Sequence, residues 1–91
     1  MTQQEARDVC QLLQTKFDAE VAMDERSPGR FRFAVLSPLF EGVPPLKRQD
    51  RIWVAVEKSL TRELRFDISI IYTFAPGEIE SVDDYRGLQH V

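Results

Sequence analysis

Arg30-Phe31-Arg32-Phe33-Ala34-Val35-Leu36-Ser37 alternates without interruption, with Phe31, Phe33 and Val35 on one side and Arg30, Arg32, Ala34 and Leu36 on the other. Successive side chains of an extended backbone point to opposite faces, so the run predicts a strand with one aromatic, core-directed face. Upstream, Ser27-Pro28-Gly29 supplies a turn. Before it Ala19, Val21 and Met23 alternate with Glu20, Ala22 and Asp24, which predicts a partner strand and an antiparallel hairpin. Downstream, the stretch from Pro38 to Pro45 contains Pro38, Gly42, Pro44 and Pro45. Rigid prolines and a permissive glycine predict an irregular loop with a tight turn at Gly42.

Working outward, Thr2-Gln3-Gln4-Glu5 is a capping box that starts a helix. Ala6, Val9, Cys10, Leu13 and Phe17 then recur at helical spacing and define its buried face. A second helix is expected from about Leu46 to about Leu64, with Ile52, Trp53, Val56, Leu60 and Leu64 inward and Lys47, Arg51, Lys58 and Arg62 on a cationic face. Phe66 to Phe74 alternates as a third strand, placing Phe66, Ile68, Ile70, Tyr72 and Phe74 together, and Ala75-Pro76-Gly77 ends it. In the tail, Ser81 is positioned to cap toward Asp84. The order is helix, strand, strand, helix, strand. A hairpin followed by a helical crossover makes the third strand parallel to the second. The expectation is an α+β fold: one domain over 1–91 with a core at about 3–78 and a tail at 79–91, a three-stranded mixed sheet, both helices on one face and the other face open.

Ninety-one residues fit one small core, and 43% hydrophobic with 30% charged residues is the balance of a folded chain. No apolar run approaches the roughly 18 residues of a membrane span. The start Met1 to Asp8 lacks a secretory pattern, so a cytoplasmic location with no membrane contact is expected. One cysteine excludes an intrachain disulfide framework and any multi-cysteine metal site built by this chain alone. A net charge of −3 argues against general nucleic-acid binding.

The run Phe31 to Gly42, then Leu46-Lys47-Arg48 and Ile52-Trp53, resembles the BolA family, as do Val21 to Glu25 and the Ala75-Pro76 exit of the third strand. The likeness covers about Ala6 to Glu78. It implies the BolA-like fold, related to the type II KH domain. It also implies binding of monothiol glutaredoxins, in many members around a shared [2Fe–2S] cluster, and in some a role in transcription and stress. Family members that bridge a cluster use a histidine at the start of the third strand and a cysteine or histidine from the loop between the first two strands. Asp67 stands at the first position, and the loop offers Arg26-Ser27-Pro28-Gly29. The family's histidine after the second-helix arginine falls on Gln49. Iron–sulfur clusters take thiolate or neutral imidazole, so the carboxylate of Asp67 is a poor substitute.

No catalytic set emerges. Cys10 reads as a small hydrophobe on a helix face, His90 lies next to the C-terminus, and the neighbours Asp24 and Glu25, like Asp83 and Asp84, read as solvated charges. The expected function is a non-enzymatic interaction adaptor with neither cofactor nor metal, contacting a protein partner of the monothiol glutaredoxin type. By the resemblance, its partner-binding residues are Phe40, Gly42, Arg48, Gln49 and Asp67. Phe40 is read either as packed against the helix start or as presented to a partner, and the Gln49 amide is expected to find a backbone partner. The alternative is a nucleic-acid-binding regulator using Lys47, Arg51, Lys58 and Arg62 to contact phosphates. The chain lacks the GXXG loop with which KH domains grip nucleic acid.

Overall fold

A computed structural model describes residues 1–83. In chain order it contains α1 (Gln3–Phe17), β1 (Glu20–Ser27), β2 (Arg30–Leu36), a 3-10 turn (Pro38–Phe40), α2 (Pro45–Ser59), α3 (Arg62–Phe66) and β3 (Ile68–Phe74). One sheet has the order β1-β2-β3, with β1 antiparallel to β2 and β2 parallel to β3. The α+β architecture and the mixed sheet are those expected from the hairpin and the crossover. The cap expected between Ser81 and Asp84, the Asp83–Asp84 pair and His90 involve positions outside the described residues.

The capping box forms as its residue types dictate. Thr2 Oγ1 accepts the Glu5 amide at 3.1 Å, and Glu5 Oε1 accepts the Thr2 amide at 2.8 Å. Ala6, Val9, Leu13 and Phe17 are buried, and Cys10 packs beside them. Together with Ile52 and Val56 of α2 they cover Phe31, Phe33 and Val35 of β2. The aromatic face of the alternating strand is therefore the centre of the core.

Four features depart from the expected pattern. The second helix does not run to Leu64. It stops at Ser59, Leu60 turns extended (φ −115°, ψ 149°), and Thr61 caps a separate α3 by accepting the Leu64 amide on Oγ1 at 3.3 Å. A threonine hydroxyl can satisfy an amide that a continuing helix would bond elsewhere, and the break lets Leu60 pack on the core. The third strand starts at Ile68, and Phe66 closes α3 with 67% of its surface exposed.

A register shift in β3 then changes the parity of its faces. Phe31 pairs with Ile68 but Arg32 pairs with Ile70, which leaves Ser69 as an extra residue. Ile68 and Ile71 consequently both point into the core, and Ile70 leaves the face on which simple alternation places it with Ile68. The second sheet face is not fully open either. Ala22, Ala34, Leu36 and Val82 form a second buried cluster with Tyr72, Phe74 and Ile79 against it, so packing extends beyond residue 78. Farther along that face, the cross-strand neighbours Asp24 and Arg32 form an ion pair.

Candidate interaction surface

The loop from Ser37 to Pro45 is anchored from beneath. Ser37 is fully buried, and its hydroxyl donates to the Phe17 carbonyl and accepts the Leu39 amide. Phe40 is also fully buried, its ring centroid 5.5 Å from that of Phe17. The Arg48 guanidinium lies 5.9 Å from the Phe40 centroid, within the range of a cation–π contact. Gly42 turns the chain with φ +74°, a left-handed conformation in which a Cβ is strained.

Arg48 ties this loop to the exit of β3. Only 6% of it is exposed. Its Nε donates to the Val43 carbonyl at 2.7 Å, and Nη1 and Nη2 donate to Glu78 Oε1 and Oε2 at 2.7 and 2.8 Å. The rigid fork of an arginine matches the two oxygens of a carboxylate. Glu78 Oε1 accepts the Ala75 amide as well, at 2.9 Å. The Arg48 hydrogen bonds, then the Ala75 amide, hold the Glu78 carboxyl well below its ordinary range, at about 2, against the opposing effect of desolvation. The same hydrogen bonds raise Arg48 above its ordinary value.

These contacts revise the expected docking residues. Phe40 and Arg48 lie beneath the loop rather than on its surface. The large apolar side chains exposed here are Leu39 of the loop at 52% and Leu46, in the first turn of α2, at 81%, with Gly42 between them also exposed. Gln49 is half-buried and finds its backbone partner: Nε2 donates to the Ile71 carbonyl at 2.7 Å, and Oε1 accepts the Trp53 indole N–H at 3.1 Å.

Asp67 lies elsewhere, where α3 meets β3. Its carboxylate accepts from the Met1 ammonium, which also donates to the Gly29 carbonyl at 3.1 Å. The hairpin turn and the start of β3 are thus adjacent, as the resemblance implies. The donors gathered there are a carboxylate, an ammonium and a carbonyl, a set that does not fit an iron–sulfur cluster. Cys10 is on α1 among core residues, and among the described residues no three His, Cys, Asp or Glu side chains cluster to hold a metal ion.

The expected cationic stripe divides with the helix. Lys47, Arg51 and Lys58 are exposed on α2, whereas Arg62 belongs to α3 and points its guanidinium over Phe66, 5.8 Å from the ring centroid. The fold-back of α3 creates a cleft of about 280 Å³ lined by Trp53 and Glu57 from α2 and by Arg62, Arg65 and Phe66 from α3. Simple periodicity hid this cleft because it placed Trp53 and Phe66 on separate core faces. The isolated Ser59-Leu60-Thr61 step is the signal that would have exposed it.

Comparison with solved structures agrees with this architecture. The BolA domain of SufE1 from Arabidopsis thaliana superposes with a TM-score of 0.65 at 19% identity, covering 87% of this chain and 99% of that one. BolA1 from Arabidopsis thaliana gives 0.62 at 18%, again over 87% and 99%. A bol-like protein from Babesia bovis gives 0.58 at 22%, over 77% and 83%. No family model matches the sequence, and no curated protein matches it. The chain has the BolA-like fold. No described helix is long and apolar enough to cross a membrane.

Proposed function

We propose that this chain is a non-enzymatic interaction adaptor on a BolA-like frame, acting in the cytoplasm on a protein partner of the monothiol glutaredoxin type. It contributes no ligands to a shared iron–sulfur cluster. The observation that carries this reading is the junction of the β2–α2 loop with α2: Phe40 and the Arg48–Glu78 fork lock it from within, while Leu39 of the loop and Leu46 of the first turn of α2 are exposed. Exposed apolar side chains on a preorganised support are the arrangement of a binding anchor, because little conformational entropy remains to be lost on docking.

The test is titration of a monothiol glutaredoxin, apo and cluster-loaded, against the wild type and a Leu39→Ser/Leu46→Ser variant. Binding of the apo partner, weakened at least about tenfold by the double substitution, is the expected result, equivalent to about 1.4 kcal/mol. A shared visible iron–sulfur spectrum with stoichiometric iron overturns the ligand-free reading, and absence of binding overturns the choice of partner.

A second reading as a nucleic-acid-binding regulator rests on Lys47, Arg51 and Lys58. At about 100° per residue these exposed cations fall within roughly 40° of one another around α2. It requires affinity that falls steeply with salt and drops when the three become alanine.

A further inference from the structure

We propose that the cleft between α2 and α3 is a second docking site, and that its occupant is an acidic peptide segment carrying an aromatic or aliphatic anchor. This inference rests on the reading of the chain as an interaction domain, but it concerns a different surface from the loop of Leu39 and Leu46. Trp53 and Glu57, one helical turn apart, form one wall, and Arg62, Arg65 and Phe66, also within one turn, form the other.

Three observations define the occupant. Phe66 is 67% exposed. The polar end of Trp53 is already satisfied by Gln49, so the cleft presents two aromatic surfaces with no hydrogen bond left to fill on the indole. The charge around them is cationic. Among the described residues neither Arg62 nor Arg65 forms an ion pair, and Glu57 is the one acid in the lining. A carboxylate beside an apolar anchor complements both properties: the side chain enters between Trp53 and Phe66, and the carboxylate meets the arginine forks. A volume of about 280 Å³ suits one or two side chains, since pockets for drug-sized ligands start near roughly 300 Å³.

Nucleic acid fits less well. One face of the Phe66 ring, on which a base would stack, is covered by the Arg62 guanidinium.

The experiment titrates the full chain with a fluorescein-labelled peptide Asp-Glu-Leu-Phe-Glu-Asp. Its controls replace the acids by lysine or Leu-Phe by Ala-Ala, and a pyrimidine single strand of about twelve nucleotides serves as competitor. Binding is read by anisotropy and by perturbation of the Trp53 indole N–H resonance. The acidic peptide should bind and shift that resonance, and both peptide controls should lose at least tenfold in affinity. Arg62→Glu/Arg65→Glu and Phe66→Ser should each weaken binding at least tenfold, while Leu39→Ser/Leu46→Ser leaves it unchanged. Circular dichroism confirms that these surface variants fold. The proposal is overturned if the lysine peptide binds equally, if the oligonucleotide binds more tightly than the peptide, or if the arginine reversals leave affinity unchanged. Because glutaredoxin binding is tested through Leu39 and Leu46, failure there leaves the outcome at this cleft separately readable.

Discussion

Replacing Glu78 by Gln keeps the shape of the side chain and removes the charge that faces Arg48. Arg48 is 6% exposed, so its guanidinium remains in place with a neutral amide that can accept on one oxygen only. Breaking a fully buried ion pair costs roughly 3–5 kcal/mol. The Glu78 side chain, however, is 45% exposed, and solvent screening reduces the expected loss to about 1–2 kcal/mol. For a domain of this size that corresponds to a melting temperature lower by roughly 5–15 °C near neutral pH.

The pH dependence gives the prediction its specificity. The carboxyl titrates at about 2 in the folded chain, against 4.5 ordinarily. A depressed folded-state pKa means the stabilisation is complete above the ordinary value and disappears as pH falls through the folded one. Melting curves of the wild type and Glu78→Gln, followed by circular dichroism from pH 7 to below 2, should therefore show a gap that is constant above about 4.5 and closes between 4.5 and 2. A gap that does not change with pH, or no gap at neutrality, would refute the assignment of Arg48 and Glu78 as a charged clasp.

Phe40→Ala should cost about 3–5 kcal/mol in urea denaturation, the range for deleting a fully buried phenylalanine; a cost below 1 kcal/mol would mean that Phe40 is not a core residue. Thr61→Ala should cost about 1 kcal/mol through loss of the α3 cap, with a change in Trp53 fluorescence because α3 forms one wall of its cleft. An unchanged spectrum and stability would show that α3 does not need its cap.

Much of the fold was legible because its signals are local. Phe31, Phe33 and Val35 announce their strand by alternation, and Thr2 and Glu5 cap α1 from three residues apart. The Arg48–Glu78 clasp joins residues thirty positions apart, and no periodicity links them. Nothing in the sequence singled out Glu78 at the end of the core as the partner of Arg48. The flaw in the β3 pattern was also invisible: Ile68, Ile70, Tyr72 and Phe74 alternate cleanly in sequence, yet the extra residue at Ser69 moves Ile71 inward and Ile70 outward. The irregular stretch from Pro38 to Pro45 was legible from its prolines and Gly42. The sequence leaves the burial of Phe40 open because an aromatic in a loop reads as exposed or buried equally well, and the Phe17 ring that settles the matter belongs to another element.

The Gln49 contact has a consequence for the behaviour of many copies together. β3 is one of the two outer strands of the sheet. Its Phe74 carbonyl faces β2, accepting the Ser37 amide, and the alternation of the backbone directs the Ile71 carbonyl the other way. That outward acceptor is taken by the Gln49 side chain. A strand from a neighbouring molecule seeking to extend the sheet here would have to displace an amide fixed on α2 and strip Trp53 of its partner.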